Sequence, residues 1–337
     1  MTSVLLTLQR LVRSAAGLAI GLPLFAFLCW AYNPTLLNNL FPFAGPVKPS
    51  TMAAVFSCGL SLWLQADGET MTRARRRLAQ GFAGLAGLLA AVTMLEYLLS
   101  IDLGVDLWLA SIADAAADSA SGRMAPATAF AILMLALALF QLDSKQGGNE
   151  DASHYLALVG GTIGAIALVG YLYGVETLYT VGTANTISIF SAALLLTLGL
   201  GILSARPTRG FMATLTSDDL GAVMLRRVLP FAIALPIMAG WIRIAAQRSG
   251  RYDFNFGVAL AVSAVMLIIL AFLWSLAGNL NRSDRQKKHI LQILQQREAP
   301  HRLAAESRSY GDLSPGPRPG TPWSFLPNWK ASSVCLQ

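Results

Sequence analysis

The chain has 337 residues, of which 55% are hydrophobic and 13% are charged, and its mean hydropathy is +0.54. This composition excludes an ordinary soluble domain, in which about 25% of residues are charged. The formal net charge is +7, and we attribute the excess to helix ends beside anionic lipid headgroups rather than to nucleic-acid binding. The three cysteines, Cys29, Cys58 and Cys335, have no metal-ligand or disulfide spacing.

Eight long apolar runs follow one another along the chain, separated by polar loops. Each run has about the 17–25 residues that a helix needs to cross about 30 Å of hydrocarbon. The runs are 11–32, 50–66, 78–99, 125–142, 153–173, 184–204, 228–246 and 256–278. Backbone groups in lipid must bond within their own segment, so uninterrupted runs indicate helices rather than barrel strands. The sequence therefore predicts an all-α integral membrane protein, an eight-span transmembrane helical bundle over residues 1–278.

Basic residues are concentrated in every second loop, which predicts the orientation of the bundle. They precede run one, follow runs two and six, and follow run eight: Arg10, Arg13, Arg73, Arg75, Arg76, Arg77, Arg206, Arg209, Arg226, Arg227, Arg282, Arg285, Lys287 and Lys288. By the positive-inside rule, both termini are cytoplasmic. We interpret run one as a retained span because it exceeds the apolar core of a signal peptide. The predicted location is a bacterial cytoplasmic (inner) membrane.

A two-span unit is repeated along the chain with the same orientation each time. Three similar signatures lead into the even-numbered runs, namely Pro49-Ser50-Thr51, Pro126-Ala127-Thr128 and Ala184-Asn185-Thr186. Such residues are also ordinary helix caps. The odd-numbered runs end in aromatic or polar clusters, namely Glu96-Tyr97, Tyr171-Leu172-Tyr173 with Glu176 nearby, and Trp241-Ile242-Arg243. We expect these clusters at the outer membrane interface.

Two ionisable residues lie within the ends of apolar runs, Glu96 and Arg243. A charge inside a span is unfavourable unless it is paired or faces water, so both are candidates for a ligand-facing or signalling role. Their predicted depths allow an ion pair between them. Tyr97, Glu176 and Trp241 are supporting candidates, although aromatic residues at this depth are also common interface anchors.

Several segments resemble one known group of membrane proteins. They are LEYLLSIDLGVDLWL at 95–109, GRMAPATAFAILMLALALF at 122–140, YLYGVETLYTVG at 171–182, and the stretches 206–230 and 240–260. In this order they are similar to the N-terminal multi-pass membrane sensor region of bacterial PAS-containing sensor histidine kinases, which is also found before diguanylate cyclase modules. The resemblance covers residues 11–295. It implies a homodimer and a cytoplasmic kinase or response-regulator partner.

The segment after the bundle departs from that family. Residues 279–299 are predicted to form a cytoplasmic signalling or linker helix, and residues 300–337 a disordered tail rich in Pro, Gly and Ser. His289 and His301 lack the context of a phospho-acceptor, and no catalytic motif is found. We therefore expect no catalytic residues, no cofactor and no metal site. The expected explanation is a truncated or frameshifted family member.

The function predicted from these observations is a sensory input module that passes a conformational signal to a cytoplasmic output module. The alternative from another class is a small-solute transporter or channel, which the repeated spans and the charges within them would also suit. A membrane enzyme ranks third, because such chemistry needs clustered acids or histidines and the acidic pair Asp218 and Asp219 is more typical of a helix-capping loop, after Thr216 and Ser217.

Overall fold

The computed structural model describes residues 2–32, 47–66, 71–101, 103–104, 123–143, 152–181, 185–217, 220–248 and 266. Most of these residues are helical. The helices are α1 Thr2–Tyr32, α2 Pro49–Gln65, α3 Arg73–Leu99, α4 Pro126–Gln141, α5 Ala152–Tyr173, α6 Ile189–Ala205, α7 Gly210–Thr216 and α8 Leu220–Arg248. A 3₁₀ turn, Glu176–Leu178, and a hairpin of β1 (Thr180–Val181) and β2 (Asn185–Thr186) lie between α5 and α6.

Seven of the helices coincide with the first seven apolar runs, and α7 is an additional short helix. Four helices, α1, α3, α5 and α8, are long and apolar enough to cross a membrane, whereas α4 and α6 are apolar but shorter. The eighth run, apart from Met266, lies outside the described residues. So do the predicted linker helix at 279–299 and the predicted tail at 300–337.

Local residues account for several helix ends. Both α2 and α4 begin with proline, whose fixed φ suits the first helical position. Helix α6 begins after Ser188, whose hydroxyl accepts a hydrogen bond from the Ser191 backbone N–H at 3.2 Å. Helix α3 ends at Ser100, which adopts a left-handed conformation with φ 54°. That conformation lets the chain turn back over the end of α3.

The six helices α1–α6 form a closed arrangement of two layers. Helices α2, α4 and α6 contact one another and form an inner triangle. Each outer helix fills a groove between two inner ones: α1 packs on α2 and α6, α3 on α2 and α4, and α5 on α4 and α6. Each inner helix therefore packs against two outer helices in the same way, an arrangement in keeping with a two-span repeat. The groove between α6 and α2 holds α1, although the order of the repeat would place α8, the next long helix after α6, in it.

Small residues allow the helices of this bundle to approach closely. A Cβ on Gly164 of α5 would lie 2.6 Å from the backbone oxygen of Ala192 in α6, and one on Gly59 of α2 would lie 2.9 Å from the backbone of Ala19 in α1. Many alanines are fully buried, whereas Leu98 is 74% exposed. This distribution is typical of helices that pack through small residues and present large apolar ones to lipid.

The third helix signature is placed differently from its prediction. Asn185 and Thr186 form strand β2, which pairs antiparallel with β1, and the Ile187 N–H donates to the Tyr179 carbonyl at 2.8 Å. Helix α6 accordingly begins at Ile189, not at residue 184, because the hairpin takes up the preceding residues. The true counterpart of Pro126-Ala127-Thr128 is therefore the segment 189–191.

Helix α8 lies outside the six-helix arrangement. It packs on α5 and α7, and 0% of its most apolar 18-residue window is buried, against 28–33% for α1, α3 and α5. Two prolines, Pro230 and Pro236, lie inside it. We call the end of the bundle where α2, α4 and α6 begin the Glu96 end, and the end where these helices finish the Arg206 end.

Candidate functional site

Glu96 is a buried carboxylate near the end of α3. Its side chain is 1% exposed, and its Oε2 atom lies 3.3 Å from Nε of Arg123, in the segment before α4. Its Oε1 atom accepts a hydrogen bond from the Leu103 backbone N–H at 2.9 Å, which the left-handed turn at Ser100 brings into place. An ion removed from water in this way needs both a charge partner and hydrogen bonds. Arg123 and Leu103 provide them.

Tyr97 connects Glu96 to the inner helices. Its hydroxyl donates to the Met124 carbonyl at 3.0 Å and accepts from Asn185 Nδ2 at 2.6 Å. The Arg123 guanidinium lies 5.5 Å from the centre of the Tyr97 ring, within the range of a cation–π contact. Lys48, the residue before α2, donates to Asn185 Oδ1 at 2.5 Å. Residues that precede α2, α4 and α6 thus meet around the end of α3.

We call these five side chains, Glu96, Tyr97, Arg123, Asn185 and Lys48, the Glu96 cluster. Lys48 and Asn185 are 5% and 6% exposed, so most of the cluster is withdrawn from solvent. Glu96 and Tyr97 were predicted from the sequence, whereas Lys48, Arg123 and Asn185 were not. Lys48 and Arg123 resembled ordinary loop cations, and Asn185 resembled a helix cap. Only their positions in the short segments before the three inner helices could have indicated them.

The remaining predicted candidates lie elsewhere. Arg243 and Trp241 are on α8, which packs on α5 and α7, and the Trp241 side chain is 52% exposed. Glu176 begins the exposed 3₁₀ turn after α5. The ion pair that the sequence allowed between Glu96 and Arg243 is not the one formed, because α8 lies outside the six-helix arrangement. Arg123 is the ion-pair partner of Glu96 instead.

A second tyrosine repeats the contact of Tyr97. The Tyr171 hydroxyl donates to the Ile187 carbonyl at 2.6 Å. Each tyrosine lies two residues before the end of its helix, and each acceptor lies two residues before the start of the next inner helix. The Tyr171 ring also stacks on Tyr179, with 4.1 Å between ring centres. The C-terminal ends of α3 and α5 are therefore fixed to the segments before α4 and α6 by equivalent hydrogen bonds.

The Arg206 end contains a separate charged cluster. Arg206 donates to Asp143 Oδ1 from Nη2 at 2.7 Å and from Nε at 3.0 Å, and to the Gln65 carbonyl from Nη1 at 3.1 Å. Arg76, at the start of α3, donates to the Asp143 backbone carbonyl. A cation beside helix C-termini is favourable because unpaired carbonyls there carry partial negative charge. Four helix ends are joined at this point.

Two further features bear on ligands. An apolar crevice between α1, α2 and α6 is lined by Leu22, Phe25, Ala26, Val47, Met52, Phe190 and Leu194. Within the described ranges, no three His, Cys, Asp or Glu side chains lie close enough together to hold a metal ion. The chemistry that the Glu96 cluster can perform is the making and breaking of a buried ion pair and its hydrogen bonds.

No protein-family model matches this chain, and neither a curated protein nor a solved structure is significantly similar to it.

Proposed function

We propose that the chain is the membrane-embedded sensory input module of a bacterial signal-transduction protein of the two-component histidine kinase type. It lies in the cytoplasmic membrane with the Arg206 end and both termini on the cytoplasmic side, and it works as a homodimer. The observation that carries the proposal is the buried ion pair of Glu96 and Arg123 at the opposite end. Ionisable groups are retained within apolar helices mainly where they have a function.

The Glu96 cluster has the properties of an element with two arrangements. Arg123 contacts both the Glu96 carboxylate and the Tyr97 ring, so it retains one partner when the other is lost. Tyr97 in turn bonds the segments before α4 and α6. A stimulus that binds one arrangement better shifts the population towards it and so displaces the ends of inner helices. The helices then carry that displacement to the residues that lead to a cytoplasmic output module.

A fusion protein tests this proposal. Residues 1–295 would be joined to a soluble histidine kinase module, and autophosphorylation would be measured in membranes across a panel of lipids, quinones and small periplasmic solutes. We expect Glu96→Gln to change the basal output or the response several-fold, because it removes the charge that holds Arg123. The matched control is Leu98→Ala, which changes a 74% exposed residue two positions further along the same helix end.

Equal output from the native chain, Glu96→Gln and Leu98→Ala under every condition would overturn the sensory proposal. Reconstituted full-length protein would be assayed in parallel for uptake of labelled solutes into liposomes. Uptake that Glu96→Gln abolishes would replace the proposal with the transporter alternative. Chemical cross-linking of the full-length chain in native membranes tests the homodimer, and a single band at monomer mass would contradict it.

A further inference from the structure

Within the part of the chain that the structure describes, helix α8 packs on few other elements. It packs on α5 and on the short helix α7, and none of its most apolar window is buried. Its tilt is therefore determined by a small number of contacts. One of these contacts lies at the last residue of α5, at the same end of the bundle as the Glu96 cluster.

Tyr173 makes that contact. Its hydroxyl donates to the Ile237 backbone carbonyl of α8 at 2.9 Å. A Cβ on Gly240 would overlap the same hydroxyl oxygen, so a larger residue there would displace the hydroxyl. Ile237 and Gly240 are three residues apart and lie on one face of α8. We call this face the Gly240 notch, and the Tyr173 hydroxyl occupies it.

The segment of α8 before the notch is weakened by its prolines. Pro236 has no N–H, so the carbonyl of Ala232 receives no hydrogen bond from the residue four positions later. For the same reason, the carbonyl of Arg226 receives no hydrogen bond from Pro230. Kinks in helices occur mainly at such positions. The Gly240 notch therefore follows directly on the part of α8 that bends most easily.

The other side of the contact is connected to the Glu96 cluster. Tyr97 accepts a hydrogen bond from Asn185 of β2, and Ile187, two residues later, accepts one from Tyr171. Tyr173 is two residues beyond Tyr171 on the last turn of α5. Direct bonds and short chain segments thus lead from Tyr97 to Tyr173 without a gap.

We propose that the Tyr173 hydroxyl in the Gly240 notch is the joint through which a rearrangement of the Glu96 cluster changes the tilt of α8. The inference rests on the proposed sensory function and assigns its transmission to two positioning residues, Tyr173 and Gly240. Displacement of the last turn of α5 moves the hydroxyl, and α8 follows by bending at Pro236. The far end of α8 moves most, because it is furthest from the joint.

The test measures that movement in the full-length chain in lipid nanodiscs. Spin labels would be attached to Tyr155→Cys on α5 and Val223→Cys on α8, both exposed and both near the Arg206 end, after Cys29, Cys58 and Cys335 are replaced by serine. Glu96→Gln serves as the perturbation because the stimulus is not identified. We expect it to shift the distance between the labels by about 2 Å, the scale of helix shifts in switching proteins.

The joint is tested by repeating the measurement with altered notch residues. Gly240→Ala should abolish the shift, since the methyl group expels the hydroxyl, and Tyr173→Phe should reduce it, since the ring remains but the hydrogen bond is lost. Gly221→Ala is the matched control on the same helix, where a Cβ would meet nothing within 4 Å. Tyr173→Phe supplies the result if Gly240→Ala does not fold.

An undiminished shift in Gly240→Ala or Tyr173→Phe would overturn the joint, as would the absence of any shift with the native notch. The kinase fusion separates this failure from that of the sensory function. If its output responds to Glu96→Gln while the distance does not depend on the notch, only the joint is wrong. If the output never responds, the sensory function is wrong as well.

Discussion

Arg206 and Asp143 form a two-contact ion pair across 63 positions of sequence, with donor–acceptor distances of 2.7 and 3.0 Å. Both residues lie just past the ends of inner helices, Arg206 after α6 and Asp143 after α4. Arg206 also reaches the last carbonyl of α2 at Gln65. All three inner helices are thus held by one guanidinium at this end, whereas the Glu96 end depends on a network of five side chains.

Arg206→Met should destabilise the bundle by roughly 2 kcal/mol, between the values for exposed and buried pairs, because the Asp143 side chain is 21% exposed. Chemical unfolding in detergent micelles measures the change. Arg77→Met is the control, since Arg77 is exposed at the same end of α3. If the two variants unfold at the same denaturant concentration, Arg206 does not hold the helix ends together. Asp143→Asn should lower the free energy of unfolding less in the Arg206→Met variant than in the native chain, because the ion pair is already lost there.

Tyr97→Phe and Tyr171→Phe should each lower the free energy of unfolding by about 1 kcal/mol, the net contribution of one hydrogen bond. The effect of Tyr97→Phe should be the larger, because it also removes the acceptor of the Asn185 amide. Tyr155→Phe, on a 64% exposed side chain of α5, should have no measurable effect. A greater loss for Tyr171→Phe than for Tyr97→Phe would contradict the bonding described here.

Gly164→Ala should destabilise the bundle by about 1–3 kcal/mol, because the new methyl group overlaps the Ala192 carbonyl of α6 and the helices must separate. Gly84→Ala is the counterpart on α3, where a Cβ would meet nothing within 4 Å. There the higher helix propensity of alanine, up to about 1 kcal/mol, should leave stability unchanged or raised. Equal thermal midpoints for the two variants would argue against close packing of α5 on α6.

The orientation of the bundle can be measured with single cysteines in a chain without Cys29, Cys58 and Cys335. Thr177→Cys, in the exposed turn after α5, should react with a membrane-impermeant maleimide on intact cells. Thr208→Cys, exposed beyond Arg206, should react only after the membrane is permeabilised. The reverse pattern would place the Arg206 end outside and refute the orientation that the arginines predict.

The positions of the helices could be predicted from the sequence because length and hydropathy determine them. The division into inner and outer helices could not, because a helix that faces lipid is as apolar as one that faces protein. What distinguishes the inner surfaces is residue size. Gly160 and Gly164 contact neighbouring helices closely, whereas the large Leu98 faces outward, and hydropathy alone does not separate these positions. The start of α6 was misplaced because a two-residue strand has almost no sequence signal.

Two of the five side chains of the Glu96 cluster could be predicted from the sequence. Glu96 could be identified because a carboxylate within an apolar run is rare, and Tyr97 because it is adjacent. The sequence offered Arg243 as the ion-pair partner of Glu96 and did not indicate Arg123, because only the packing of the helices brings Arg123 to the end of α3. Arg206 was treated only as a determinant of orientation, although it also forms an ion pair with Asp143.

The placement of α1 in the third groove has a consequence for how the chain is made. Helix α1 leaves the ribosome before the helices on which it packs, and one of these two helices, α6, is completed only at Ala205. One flank of α1 therefore remains in contact with lipid or with the insertion machinery until α6 has been synthesised. Contacts between such distant segments form slowly. Closure of the bundle is thus a late step in biogenesis, and α1 is most exposed to incorrect helix pairing before α6 is in place.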